Sequence, residues 1–296
     1  MIRLENISKR FGPIEALRSL NLEIREGERL GLFGHNGSGK TTLIRILLGL
    51  SKPSDGRLLL DARPPDGEAW RAFRSRLGFM PERVAFYEHL TGEETLRYFA
   101  RLRGIGLDRV MPMMERVGLS DAVGRQVGEY SKGMRQRLNL AQALLGDPEV
   151  LLLDEPIEGL DPQGVRTFFH LLRSGSAHTV VFSSHRLSEV CHRMDRVCIL
   201  NQGEIKALGT VDELSRALQT PVRIHIYPSE SLNGSLDTTL NRLGATSLVK
   251  EGERLTVEVP QSGKVDFLTG LHACRGTIRH LHVEEPSLEE IYFETD

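Results

Sequence analysis

The chain has 296 residues with 38 basic against 40 acidic side chains, a formal net charge of −2, so no bulk basic field argues for nucleic acid as a partner. Its length supports a sizeable core plus one smaller domain. Three cysteines, Cys191, Cys198 and Cys274, are an odd number without a metal-type CxxC pair, which disfavours a disulfide framework and fits a reducing compartment.

The N-terminus, MIRLENISKRFG, alternates like a strand and lacks the apolar core of a signal peptide. No uninterrupted apolar run approaches the roughly 18 residues that span a bilayer. The expectation is a soluble chain that reaches a membrane only through a partner. Up to about Pro81, short apolar runs (LGLF, RLLL, LGFM) alternate with turns and one strong helix, TTLIRILLGL. From Arg83 to Gly146 the pattern is mainly helical, with apolar residues at three-and-four spacing in ETLRYFARLRG, VMPMMERVGL and KGMRQRLNLAQALLG. Strand-like runs return as VLLLDEP, HTVVFSSH and RVCILNQG. Such continuous apolar strands interleaved with helices predict an α/β domain with a buried, largely parallel sheet over residues 1–220, its helical subdomain at about 83–146. After Gln219-Thr220-Pro221 the order reads β-α-β-β-α-β, which predicts a small ferredoxin-like α+β domain over 221–296. The tail PSLEEIYFE has room for one or two amphipathic helical turns.

GHNGSGKTT, Gly34 to Thr42, follows the apolar strand ERLGLF and precedes a helix, the strand–GxxxxGK[ST]–helix context of a P-loop. Gly34, His35, Asn36, Gly37, Ser38, Gly39 and Thr42 form the loop whose backbone N–H groups wrap phosphates. Lys40 reaches the β/γ oxygens and Thr41 is a ligand for Mg²⁺. In EVLLLDEP an apolar strand delivers Asp154 to the Mg²⁺ shell and sets Glu155 to activate water. Neighbouring strand residues face opposite ways, so a bend at Pro156 is needed to bring Glu155 round. A second helix start, Ser131-Lys132-Gly133, is a further anion site.

The P-loop, SKGMRQR, LLLDEP, GLD and SSH, in this order over about Met1 to Leu214, resemble the nucleotide-binding subunit of an ATP-binding cassette (ABC) transporter. The resemblance implies a RecA-like core with a helical subdomain, ATP and Mg²⁺ as cofactors, and ATP hydrolysis coupled to transport. It implies Phe11 stacking on adenine, His185 sensing the γ-phosphate, and Glu82 at the Mg²⁺ site. It also implies a homodimer, in which Ser131, Lys132 and Gly133 hold the partner protomer's ATP and Asp161 joins the two sites. A polytopic membrane subunit would hold the chain peripherally at the cytoplasmic face of the inner membrane. Phe86 and Tyr87 are either contacts for that subunit or packing residues of the helical segment.

The sequence departs from the family's pattern at three positions. Lys132 stands where glycine is common, Glu82 where glutamine is common, and Ile157 where threonine is common. Lys132 adds a cation beside phosphate, in a direction the sequence does not reveal. Longer stretches, among them GLFGHNGSGKTT, YSKGMRQRLNLAQALLGDPE and PVRIHI, resemble the NosF-type branch, the ATPase of the nitrous-oxide-reductase copper–sulfide centre maturation system. That branch works with a periplasmic β-helical protein. The alternatives are another ABC-2-type exporter, for drugs, polysaccharides or lipids, and a soluble cassette acting on DNA or ribosomes. The single P-loop and the compact segment between Glu82 and Ser131 disfavour the last. Cys191, His192, Cys198, His272, Cys274, His280 and His282 lack zinc-like spacing and read as ordinary surface or core residues.

Overall fold

In a computed structural model, which describes residues 1–173, 179–217, 221–229, 234–274 and 276–284, the chain divides into two units, Met1–Gly209 and Thr210–Asp296. The first opens with two long antiparallel strands, β1 (Ile2–Phe11) and β2 (Ile14–Ile24), turned at Gly12 with φ +58°. Irregular register near Asn6, itself at φ 51°, lets Leu4 and Ile7 both reach the core. Strand β3 (Arg29–Phe33) leads to helix α1 (Lys40–Leu47), and β4 (Asp55–Leu60) returns to pair antiparallel with β1. Helix α2 (Gly67–Ser75), capped by Asp66, precedes β5 (Leu77–Met80).

The helical segment begins later than its apolar pattern predicts. Residues 83–91 are not helical, with a turn at Glu88-His89, and α3 (Gly92–Leu102) starts where Thr91 and Glu94 make a reciprocal capping box. Helices α4 (Val110–Arg116) and α5 (Lys132–Leu144) complete the segment. Then come β6 (Val150–Leu153), α6 (Pro162–Arg173), β7 (Thr179–Ser184), α7 (Leu187–Val190), β8 (Arg196–Asn201) and β9 (Glu204–Gly209).

The larger sheet has the order β5-β6-β7-β3-β8-β9, parallel except for the antiparallel edge strand β9. Its central strands are buried along their length at Leu30, Leu32, Leu151–Leu153 and Val180–Phe182, as a sheet covered on both faces requires. The expected parallel sheet is therefore present, beside a separate antiparallel sheet of order β2-β1-β4. Strands β5, β6, β7 and β3 all end on the same side, so their outgoing loops converge there.

The second unit begins with α8 (Val211–Ala217) and continues β10 (Val222–Pro228), α9 (Gly234–Arg242), β11 (Ser247–Glu251), β12 (Arg254–Val259), α10 (Lys264–Gly270) and β13 (Ile278–Glu284). All pairings in its sheet, of order β11-β12-β10-β13, are antiparallel. Val222, Ile224, Ile226, Leu255, Val257 and Val259 pack with Leu236, Leu240 and Phe267 into a core of its own. Each such side chain contributes roughly 2 kcal/mol of transfer free energy. On the other sheet face the His225 ring stacks on His282 and bonds Thr256 and Glu284. The contacts divide the chain at Gly209, so α8 belongs with the second unit; the expected junction at residue 220 and the tail PSLEEIYFE lie outside the described residues.

Candidate nucleotide site

The loop after β3 is shaped by glycine. Gly37 and Gly39 have φ +86° and +109°, and a Cβ at Gly39 would stand 2.7 Å from the Leu17 side chain and 2.8 Å from the Ala16 carbonyl. A Cβ at Gly34 would collide with Ser38 and the Leu200 carbonyl. The loop closes into a cradle that ends at the start of α1, where orphan N–H groups and the helix dipole favour an anion. Lys40 lies at its floor, 5% exposed, donating to the carbonyls of Gly34 at 2.6 Å and His35 at 3.2 Å. Ser38 Oγ is buried without a hydrogen-bond partner in the protein. A buried cation, an unpaired hydroxyl and a side-chain-free cradle together fit a polyphosphate.

The acidic pair follows β6. Asp154 and Glu155 are 4% and 6% exposed, and both face the loop despite being neighbours on one chain. The bend expected at Pro156 occurs one residue earlier: Glu155 itself adopts φ +46°. That left-handed conformation costs about 1–3 kcal/mol for a residue with a side chain. The surroundings that hold it are specific. Ser183 Oγ on β7 donates to Asp154 Oδ1 at 2.7 Å and accepts the Glu155 N–H at 2.9 Å. Glu155 Oε1 pairs with Lys40 Nζ at 3.3 Å, and Oε2 receives the imidazole of His185. Burial pushes the Asp154 carboxyl above the usual carboxylate range; hydrogen bonds from Ser183 and Thr41 oppose this, and the charge of Glu155 adds to it.

Ser183 was not among the residues singled out from the sequence. The available signal is a pair of small polar residues, Ser183-Ser184, that ends the fully buried strand TVVFSS.

At the rim, Phe11 is 48% exposed, with Lys9 Nζ 5.0 Å from its ring centroid. Phe11, Asn36, Gly37, Thr42, Glu82 and Glu155 line one hollow with Lys40 and Thr41. Thr41, Glu82 and Asp154 also share an adjoining hollow. Those three oxygen donors fit a hard divalent cation, and Mg²⁺ held there would neutralise charge on a bound polyphosphate. Glu82 also pairs with Arg83 at 3.3 Å.

The remaining candidates do not line these hollows. Ser131 Oγ caps α5, accepting the Met134 N–H at 3.2 Å, with Lys132 and Gly133 in the first turn. Lys132 extends over Gly159, where an added Cβ would strike its ammonium group. Asp161 Oδ1 accepts the Gly164 N–H at 2.7 Å at the start of α6. Phe86 packs edge-on against Phe99 at 6.2 Å, whereas Tyr87, 55% exposed, turns outward beside Tyr98. Cys198 is buried, its thiol pushed up to about 12 by desolvation.

The family described as ABC transporter matches residues 17–158. An ABC transporter ATP-binding protein of Nostoc sp. (strain PCC 7120) is 37% identical over 287 residues, covering 94% of this chain and 82% of the relative. A daunorubicin resistance ATP-binding protein of Streptomyces coeruleorubidus is 33% identical over 301 residues, covering 98% and 94%. Among solved structures, a dimeric post-hydrolysis ATP-binding cassette bound to ADP and Pi superposes with a TM-score of 0.63 at 26% identity. It covers 71% of this chain and 99% of that one.

Proposed function

Because the chain belongs to the ABC transporter family, as its matches to ATP-binding subunits establish, we propose that it binds and hydrolyses Mg·ATP to drive a polytopic membrane partner. One observation carries the reading: buried Lys40 and Glu155, with half-exposed His185 on the outer side of Glu155, form a continuous polar chain at the glycine cradle, with Asp154 and Thr41 beside it. In this reading Glu155 takes the proton of the attacking water and His185 orients that carboxylate. Lys40 and the loop amides hold the phosphates. Thr41, Asp154 and Glu82 hold Mg²⁺, and Phe11 carries the adenine.

The active form is a homodimer. Ser131, Lys132 and Gly133 line no part of their own protomer's cleft, which supports a role against the partner's ATP; Asp161 would link the two sites. Among the described residues no helix is long and apolar enough to cross a membrane. The membrane partner would therefore hold the chain at the cytoplasmic face. The strand order of the second unit supports the ferredoxin-like reading. Phosphate release from the purified chain, with and without Mg²⁺, tests the enzymatic reading. No Mg²⁺-dependent release would reject it.

For the cargo, the similarity to a daunorubicin resistance protein along nearly the whole chain supports an ABC-2-type exporter of antibiotic-like molecules. The NosF-type reading rests on the stretches YSKGMRQRLNLAQALLGDPE and PVRIHI, and adds a periplasmic β-helical partner. Glu155→Gln in the native host separates the two. Under the NosF-type reading nitrous-oxide reductase is exported and folded but lacks its copper–sulfide centre. Under the exporter reading the reductase is fully loaded and drug sensitivity rises.

A further inference from the structure

Among the described residues strand β5 is an edge strand, bonded to β6 on one side. The carbonyls of Arg76 and Met80 face β6 and accept the N–H groups of Val150 and Asp154. The alternate carbonyls, at Leu77, Phe79 and Pro81, face away from the sheet. Among the described residues no strand meets them. Arg103 Nη2 donates to Leu77 O at 3.0 Å, Gln142 Nε2 to Phe79 O at 2.8 Å, and Asn139 Nδ2 to Pro81 O at 3.0 Å. Three side chains of the helical segment thus stand in for a missing strand.

Two of these donors lie on α5, and a third amide continues their row. Gln136, Asn139 and Gln142 are spaced by three, on one face of the helix. Gln136 Nε2 donates to the carbonyl of Pro156, next to Glu155. Asn139 and Gln142 are 1% and 8% exposed, and Gln142 Nε2 also donates to Asn139 Oδ1 at 3.1 Å, which fixes the Asn139 amide toward Pro81. Close approach is built in: a Cβ on Gly78 would collide with the Ala143 carbonyl of the same helix. Ser131 caps the other end of α5.

We propose that Gln136, Asn139 and Gln142 are positioning residues: from one helix face they fix the backbone before Glu82 and after Glu155, tying both to the Ser131 turn. The inference rests on the reading of Glu82 and Glu155 as parts of the ATP site, and it adds the device that keeps their spacing. None of the three amides needs to touch nucleotide. Asn139 is the critical one, because Pro81 is the last residue before the Glu82 loop and lies beyond the end of β5. A turn of α5 relative to the sheet must then either break the Asn139 bond or carry Glu82 along with it.

The test uses the full chain with Asn139→Leu, and with Asn139→Asp, which keeps the shape but replaces the donor by an acceptor. Losing a buried hydrogen bond at this point is expected to lower kcat about tenfold, while the Kd for ATP in EDTA stays within about twofold. Hydrogen–deuterium exchange in the nucleotide-free protein provides a readout independent of turnover. Amides of residues 79–84 should exchange faster, with those of β3 and β7 unchanged. Folded variants with wild-type kcat and wild-type exchange at 79–84 would overturn the inference. So would loss of ATP binding in step with turnover, or faster exchange throughout the sheet, either of which marks a general packing role. A wild-type chain without Mg²⁺-dependent hydrolysis would overturn the functional reading itself.

Discussion

Glu155 and His185 are joined twice, since the imidazole Nδ1 and the main-chain N–H of His185 stand 2.9 and 3.3 Å from the same Glu155 Oε2. The histidine thus fixes the carboxylate from one side while Lys40 fixes it from the other. Glu155→Gln removes the base and keeps the shape, so hydrolysis should fall by about 10²–10⁴-fold. ATP binding should persist through Lys40, Thr41 and Asp154, and ATP should trap a dimer. Titration with a fluorescent ATP analogue, alongside phosphate release, checks both halves. Near-normal turnover would move the base to His185.

Asp154 gives a pH dependence with a definite sign. Its folded carboxyl is raised above the unfolded value, chiefly by burial. The stability it contributes is therefore full below the unfolded value and is lost as pH rises through the raised folded value. Mg²⁺ binding needs the ionised form and should strengthen over the same interval. Thermal unfolding of the nucleotide-free chain, followed as pH rises from the ordinary carboxylate range, should show this loss for the wild type. Asp154→Asn should flatten it and abolish the Mg²⁺ response. An unchanged pH profile in the variant would assign the effect to another group.

Action of Ser131 across a dimer predicts complementation. Ser131→Arg adds bulk at the turn and should spare ATP binding by the monomer while preventing closure. Lys40→Ala should weaken nucleotide binding directly. A mixed dimer of the two retains one site with both elements intact, so mixing should restore part of the hydrolysis that each variant lacks alone. Mixed dimers that form and stay inactive would require either action within one protomer or obligatory joint firing of both sites.

Much of this site was legible because its chemistry is local in sequence. Gly34 to Thr42 is one loop between a strand and a helix, and Asp154-Glu155 ends one apolar run. Partners brought in from distant strands were harder to see. Ser183 reaches Asp154 from β7, and nothing in SSH distinguishes a serine aimed at a carboxylate from one filling space. Proline restricts the backbone locally, so the sequence points to Pro156 for the bend that turns Glu155 inward. The actual left-handed residue is Glu155, held by groups as distant in sequence as Lys40 on one side and His185 on the other. The direction of Lys132 was likewise illegible, since it is set by where the chain returns at Gly159.

That Lys132–Gly159 packing yields a further prediction. Gly159 has φ +67°, and an added Cβ would also meet the lysine side chain. Gly159→Ala should cost about 1 kcal/mol through backbone conformation, plus a steric part set by Lys132. Lys132→Ala should relieve only the steric part. A double-mutant cycle by denaturant unfolding measures the coupling, and strict additivity would mean the lysine swings aside freely.

The order of strands also bears on how the chain is made. Strand β3, which leads into the glycine cradle, lies between β7 and β8, with Arg29 opposite Val180 and Leu30 opposite Arg196. On the ribosome, β3 emerges long before either neighbour exists, and both its edges stay open in the meantime. Closure of the sheet waits for pairings of long sequence separation, which fold slowly. ATP cannot assist the early part of this wait, because the serine that steadies Asp154 lies on β7 and the histidine that steadies Glu155 follows it directly. Newly made chains are therefore expected to depend most on chaperones until about the end of β8 has emerged.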